Sequence, residues 1–153
     1  MHSTTEQKEY GQRQSVPGPA SEVAMQRVQD IFRQKNDFLR WSKYIENRFD
    51  QLNNLERGWD SYDASPIRYT TAKFVGDMLE ALYFDGLKTP VIAPLKSGGI
   101  QLEWHRGEDC LEIEVERPNF ANCYICIEAD DIEDEFRIKS DFSKIREMLK
   151  QLM

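Results

Sequence analysis

The chain has 153 residues, 40% of them hydrophobic and 31% charged, with a formal net charge of −7. That length fits one ordinary domain with a tail, and the composition suits a globular protein with a heavily solvated surface. The acidic balance disfavours direct attraction to nucleic acid phosphate, and no apolar run approaches the ~20 residues that span a bilayer.

Residues 1–20, "MHSTTEQKEYGQRQSVPGPA", hold one Val and one Tyr among polar residues, Gly and Pro. Such a stretch buries too little apolar surface to offset its ordering entropy, so a disordered tail is expected over 1–20 and a single α+β domain over 21–153. Ser21 offers an N-cap, and Glu22 to about Arg57 contains no Pro or Gly. Ile31, Phe38, Ile45 and Leu52 recur every seven residues, flanked by Val28, Phe32, Leu39, Trp41, Phe49 and Leu55. This is a broad apolar stripe on a long helix, wide enough to cover a sheet and leave aromatics for a homodimer contact through residues 22–57.

"RGWDSYDASP" (57–66) follows. Gly58 is placed to stop the helix at its C′ position, and Ser65-Pro66 to cap and open the next. The middle, Trp59, Asp60, Tyr62 and Asp63, is required by no capping rule. Ile67, Phe74, Val75, Met78, Leu79 and Leu82 then form a second amphipathic stripe, ended by Gly86 and Pro90.

From Pro90 the period changes to two. "VIAPL" is a short strand whose Pro94 places it at an edge, and "KSGG" a turn. In the next strand Ile100, Leu102 and Trp104 face one way, Gln101, Glu103 and His105 the other. Past a "GED" turn, Leu111, Ile113 and Val115 alternate with Cys110, Glu112, Glu114 and Glu116. Cys123, Ile125 and Ile127 point inward, Tyr124 and Cys126 outward, and a strand over "EFRIK" completes a four- to five-stranded antiparallel meander with one covered face. Asp141 caps a C-terminal helix. Two helices, a sheet and a last helix make an α+β two-layer sandwich.

Chemistry is sparsely signalled. No glycine-rich phosphate loop or nucleophile elbow occurs, and no cofactor is expected. Cys123 and Cys126 are spaced C-x-x-C, but on a strand that offset sends them to opposite faces, and His105 is the one histidine outside the tail; a four-ligand zinc site is not expected. With Cys110 they make three cysteines in a chain too large to need staples, with no signal-like N-terminus. They read as reduced thiols in a cytoplasmic protein. Glu112, Glu114 and Glu116 read as a solvated face rather than a metal site. Between Gln101 and Ser140 there are twelve Asp or Glu against four Arg or Lys. That surface suits a basic protein partner, including one that itself binds nucleic acid.

"GWDSYDASP" and "GGIQLEW" together resemble a group of small bacterial proteins of unassigned function. Their pattern carries Trp59, Asp60, Tyr62, Ala64, Pro66, Gly98, Gly99, Gln101, Glu103 and Trp104, over about residues 55–117. The resemblance implies no activity. Two arrangements of the loop are open. It can fold over the sheet edge, so that Asp60, Tyr62 and Asp63 meet Gln101, Glu103 and His105 in a polar pocket, as a carboxylate- or metal-dependent hydrolase would need. Alternatively, Trp59 and Tyr62 plug the seam between helices and sheet while Asp60 binds loop backbone N–H groups. The seam arrangement is favoured, and with it a non-enzymatic, acidic interaction protein of antitoxin, immunity or anti-defence type.

Overall fold

A computed structural model describes residues 18–153. Most of the expected tail, residues 1–17, lies outside the described residues; Pro19 and Ala20 already belong to the first helix. The described chain divides into a helical segment ending at Arg33 and a body from Gln34 to Met153.

Helix α1 runs Pro19–Asn53, α2 Tyr69–Leu82 and α3 Ser143–Leu152; strands β1 to β5 are Val91–Pro94, Ile100–Arg106, Asp109–Arg117, Phe120–Ile127 and Ile132–Ile138. All neighbouring strands are antiparallel and the sheet order is the chain order. This is the α+β meander that the alternation predicts. Its β2–β3 turn is one residue shorter than expected, because Asp109 already pairs with Arg106.

One sheet face carries the core. Ile100, Leu102, Trp104, Leu111, Ile113, Val115, Cys123 and Ile125 are all buried, against Val75, Met78, Leu79 and Leu82 of α2 and Ile145, Leu149 and Leu152 of α3. Trp104 satisfies its indole N–H on the carbonyl of Lys88 at 2.9 Å, while the indole N–H of Trp41, also in the core, has no partner among the described residues. Asp141 is not the expected cap of α3, whose N-cap is Phe142; its carboxylate accepts instead from the Ser143 N–H (3.0 Å) and hydroxyl (2.6 Å), a turn that leads into the helix.

Within the body, α1 contributes Trp41, Ile45 and Leu52 to this core. It also guards the sheet edge: Arg48 donates to the carbonyl of Ile92 in β1 at 2.8 Å and Tyr44 to that of Pro90, just before β1, at 3.2 Å. The opposite edge, β5, is blunted instead by charge, with Glu133, Asp134, Glu135 and Arg137 on one strand.

Three more helix boundaries differ from expectation. Ser21 lies inside the first turn of α1, its hydroxyl donating to the carbonyl of Gly18 at 2.6 Å. α1 ends at Asn53, so Gly58 is not its C′ residue; Gly58 takes φ +77° inside the loop, and its N–H is bonded to the carbonyl of Ala64 at 2.8 Å. Ser65-Pro66 does not open α2, which starts at Tyr69; the Ser65 N–H goes instead to the carbonyl of Lys96 at 2.8 Å. At Gly58 and Ser65 a bond made by the loop or turn outcompetes the helix-end role that local spacing suggests; at Ser21 the helix simply begins two residues earlier.

Candidate functional site

Within the body from Gln34 to Met153 no helix covers the second face of the sheet, and the strand register orders its side chains into rows. Val91, Glu103, Glu112, Tyr124 and Glu135 lie side by side across all five strands. The next row is His105, Cys110, Cys126 and Glu133; on the other side run Ala93, Gln101, Glu114, Asn122 and Arg137. Adjacent strands sit ≈ 4.8 Å apart and alternate residues share a face, so the backbone itself holds these groups together.

The face is negatively charged and weakly compensated. Glu103 and Glu112 are directly opposite one another, a like-charge pair that is unfavourable without a counter-charge. Among the described residues, the charged partner of Glu103 is His105, whose Nε2 lies 3.2 Å from its Oε2. Among the described residues, no ion pair reaches Glu112, Glu114 or Glu135. These three line a shallow depression of about 220 Å³ with Asn122 and Tyr124. Burial, followed by the charge of Glu133 to which it donates at 3.2 Å, pushes the Tyr124 hydroxyl up to about 12. Burial and the Glu112 charge likewise raise the Cys110 thiol. Both groups are therefore neutral donors on a face of acceptors.

Glu116 leaves this row. A register irregularity between Val115 and Arg117 removes its cross-strand partner. It lines a separate groove of about 630 Å³ with Arg68, Arg117 and Phe120. Phe120 there underlies two guanidinium groups, those of Arg117 at 4.7 Å and Arg137 at 5.3 Å from the ring centre.

The Trp59–Asp63 loop is anchored on itself and on the β1–β2 turn. The Asp60 carboxylate accepts from the N–H groups of Tyr62 (3.0 Å) and Ala64 (3.1 Å), and Lys96 stands 3.6 Å from its other oxygen. Burial opposes the charge of Asp60, but these N–H groups and the Lys96 ammonium outweigh it and hold the carboxyl below the ordinary aspartate range. Trp59 donates its indole N–H to the carbonyl of Ser65 at 3.0 Å. Arg68 bonds the carbonyls of Ser97 and Glu116 and fastens the segment after the loop to the turn and to β3.

The expected pocket joining this loop to Gln101, Glu103 and His105 is thus not what the geometry builds. The loop meets the sheet at the Lys96–Gly98 turn, the end of β2 away from His105, and its carboxylate is committed to backbone donors. Tyr62 does not plug the seam either: it is 83% exposed, while the small Ala64 is the residue buried. Tyr62 and Asp63 face solvent. The Gly98-Gly99 pair does more than turn the chain. A Cβ on Gly98 would lie 2.7 Å from the carbonyl of Pro66, and one on Gly99 would press on the carbonyl of Val115. The two glycines are what let the loop and β3 approach the turn.

The cysteines divide as strand alternation predicts. Cys123 is in the core, where burial pushes its thiol up to about 12, and Cys126 is on the open face. Sequence spacing conceals that Cys126 stands directly opposite Cys110, with His105 next in line. Tyr124, Glu133 and Glu135 also join the face without having been singled out; the Asp-x-Tyr-x-Ala spacing of the loop is the one local signal for its backbone capping role.

Comparison with protein-family models, with curated proteins and with solved structures finds no match to this chain. Among the described residues, no helix is long and apolar enough to cross a membrane.

Proposed function

We propose that this is a non-enzymatic interaction protein that presents the open face of its sheet to a macromolecular partner with a basic surface. The observation that carries this reading is the row structure of that face. Glu103, Glu112, Glu114, Glu133 and Glu135 project from three strands, β2, β3 and β5, against His105 and Arg137 as the basic groups in the same rows. Carboxylates fixed on a rigid sheet are preorganised, so a cationic partner binds them with little side-chain ordering cost. A protein whose own ligand is nucleic acid is a natural partner, since carboxylates in ordered rows compete for the groups that otherwise meet phosphates; an antitoxin, immunity or anti-defence role would follow. The loop argues against a hydrolase centred on Asp60, because the carboxylate that would do the chemistry is engaged by its own backbone.

The test is a pull-down from a native host lysate with the wild type and a Glu112→Lys/Glu114→Lys/Glu135→Lys variant in parallel. The wild type should retain a basic protein that the variant loses and that added salt releases. Retention indifferent to both charge reversal and salt would refute the reading.

A second reading, self-association, has one specific observation in its favour. Val23, Met25, Val28, Ile31, Phe32 and Leu39 of α1 are all more than half exposed, whereas Trp41, Ile45 and Leu52 of the same helix are in the protein's own core. A homodimer contact over 22–57 therefore contracts to residues 22–39. Sedimentation of the wild type beside an Ile31→Glu/Phe32→Glu variant should show a dimer that the variant lacks. A monomeric wild type at high micromolar concentration would exclude it.

A further inference from the structure

We infer that Glu103, His105 and Glu112 form a binding site for a divalent first-row transition-metal ion on the open face of the sheet. One ligand atom from each, an imidazole nitrogen and two carboxylate oxygens, all lie within 4.8 Å of one another. Donors around an ion bound at about 2.0–2.2 Å lie at most about 4.4 Å apart. The set therefore closes on a metal by small rotations of side chains that are exposed or half-buried and free to move. The separation of 3.2 Å between His105 Nε2 and Glu103 Oε2 already fits two adjacent ligands.

The backbone fixes this convergence. Glu103 and Glu112 are a register pair across β2 and β3, and His105 follows Glu103 by two residues on the same face. The tight turn at Gly107, with φ +64°, locks that register, since a one-residue slip would send the ligands to opposite faces. The electrostatics point the same way: among the described residues, no Lys or Arg pairs with these two opposed carboxylates, and a dication removes their repulsion. One nitrogen and two oxygens suit zinc or manganese better than calcium, which prefers oxygen donors alone. Facing solvent, the ion would keep open positions for water. The inference does not rest on the proposed protein partner, because the metal alone is the probe.

Isothermal titration of the full chain with Zn²⁺ and Mn²⁺ tests it, alongside Glu112→Gln, His105→Gln and, as a control on the same hairpin, Glu108→Gln. We expect one ion per chain, a rise in thermal midpoint on adding metal, and at least about a tenfold loss of affinity in Glu112→Gln and His105→Gln. Glu108→Gln removes the same unit of charge from an exposed turn position and should bind as the wild type does. Circular dichroism of each variant without metal separates a lost ligand from a lost fold. Absence of saturable binding, or equal weakening by all three substitutions, would overturn the site and leave only diffuse attraction of cations to an acidic surface.

Discussion

Replacing Gly98 by alanine puts the docking of the loop on the β1–β2 turn to a quantitative test, with Gly86 as an internal reference. Both glycines have positive φ, +87° and +91°. An alanine forced into that region costs about 1–2 kcal/mol. Stiffening of the unfolded chain by alanine acts in the opposite sense, by about 0.4–1 kcal/mol, and offsets part of that strain. At Gly86 nothing lies within 4 Å of the added Cβ, so that balance, close to about 1 kcal/mol, is the whole effect. At Gly98 the Cβ would sit 2.7 Å from the carbonyl of Pro66, with Ser65 Cβ at 3.5 Å and Arg68 Cζ at 3.7 Å behind it. Backbone must move, and overpacking of this kind adds about 1–3 kcal/mol. Relief by shifting the loop strains the bonds from Ser65 N to Lys96 O and from Arg68 N to Gly98 O. The expected total is about 2–4 kcal/mol, or a fall of roughly 4–16 °C in thermal midpoint against about 2–4 °C for Gly86→Ala. Urea unfolding of the two variants and wild type, with unchanged m-values, measures the difference directly. Equal losses at the two positions would mean that the loop does not bear on the turn.

Two further outcomes are expected. Asp60→Asn keeps an acceptor for the Tyr62 and Ala64 N–H groups but removes the charge. Because the folded-state carboxyl titrates below its ordinary value of 3.8, its contribution is fully present above that value and disappears as the pH falls through the lowered one. The stability gap between wild type and Asp60→Asn, measured by urea unfolding, should therefore be largest near about pH 6 and narrow towards about pH 3; a gap that widens in acid would contradict the assignment. Cys123 is fully buried with its thiol pushed up to about 12, so thiol reagents should label it only at the rate of unfolding, and rapid labelling in native buffer would show that the core is open.

Local regularities of the backbone made the architecture legible in the sequence. Side-chain period two along the strands fixed which residues face the core and which face out, because alternation is a property of the extended chain itself. Ile100, Leu102 and Trp104 could be assigned to the core, and Gln101, Glu103 and His105 to the open face, without knowledge of any partner strand. The same reasoning separated Cys123 from Cys126. The apolar stripe on α1 was legible as well, but the part of it that the protein covers for itself was not, since Ile31 and Ile45 have the same local pattern and opposite exposures.

Tertiary structure decided what stands opposite what. Glu103 meets Glu112, and Cys110 meets Cys126, through strand register, which depends on turn geometry and on the core locking both faces at once. The bulge that takes Glu116 out of the carboxylate row is invisible in an uninterrupted Glu-x-Glu-x-Glu repeat. One helix boundary beside "RGWDSYDASP" went to a competitor roughly thirty residues away: Ser65, a fitting cap on local spacing, gives its N–H to Lys96. Asp60 could be read as a loop organiser from its own neighbours. That Gly98 and Gly99 must be bare to receive that loop and β3 is a fact of close approach, and no local pattern encodes the distance between segments that meet only when the chain is folded.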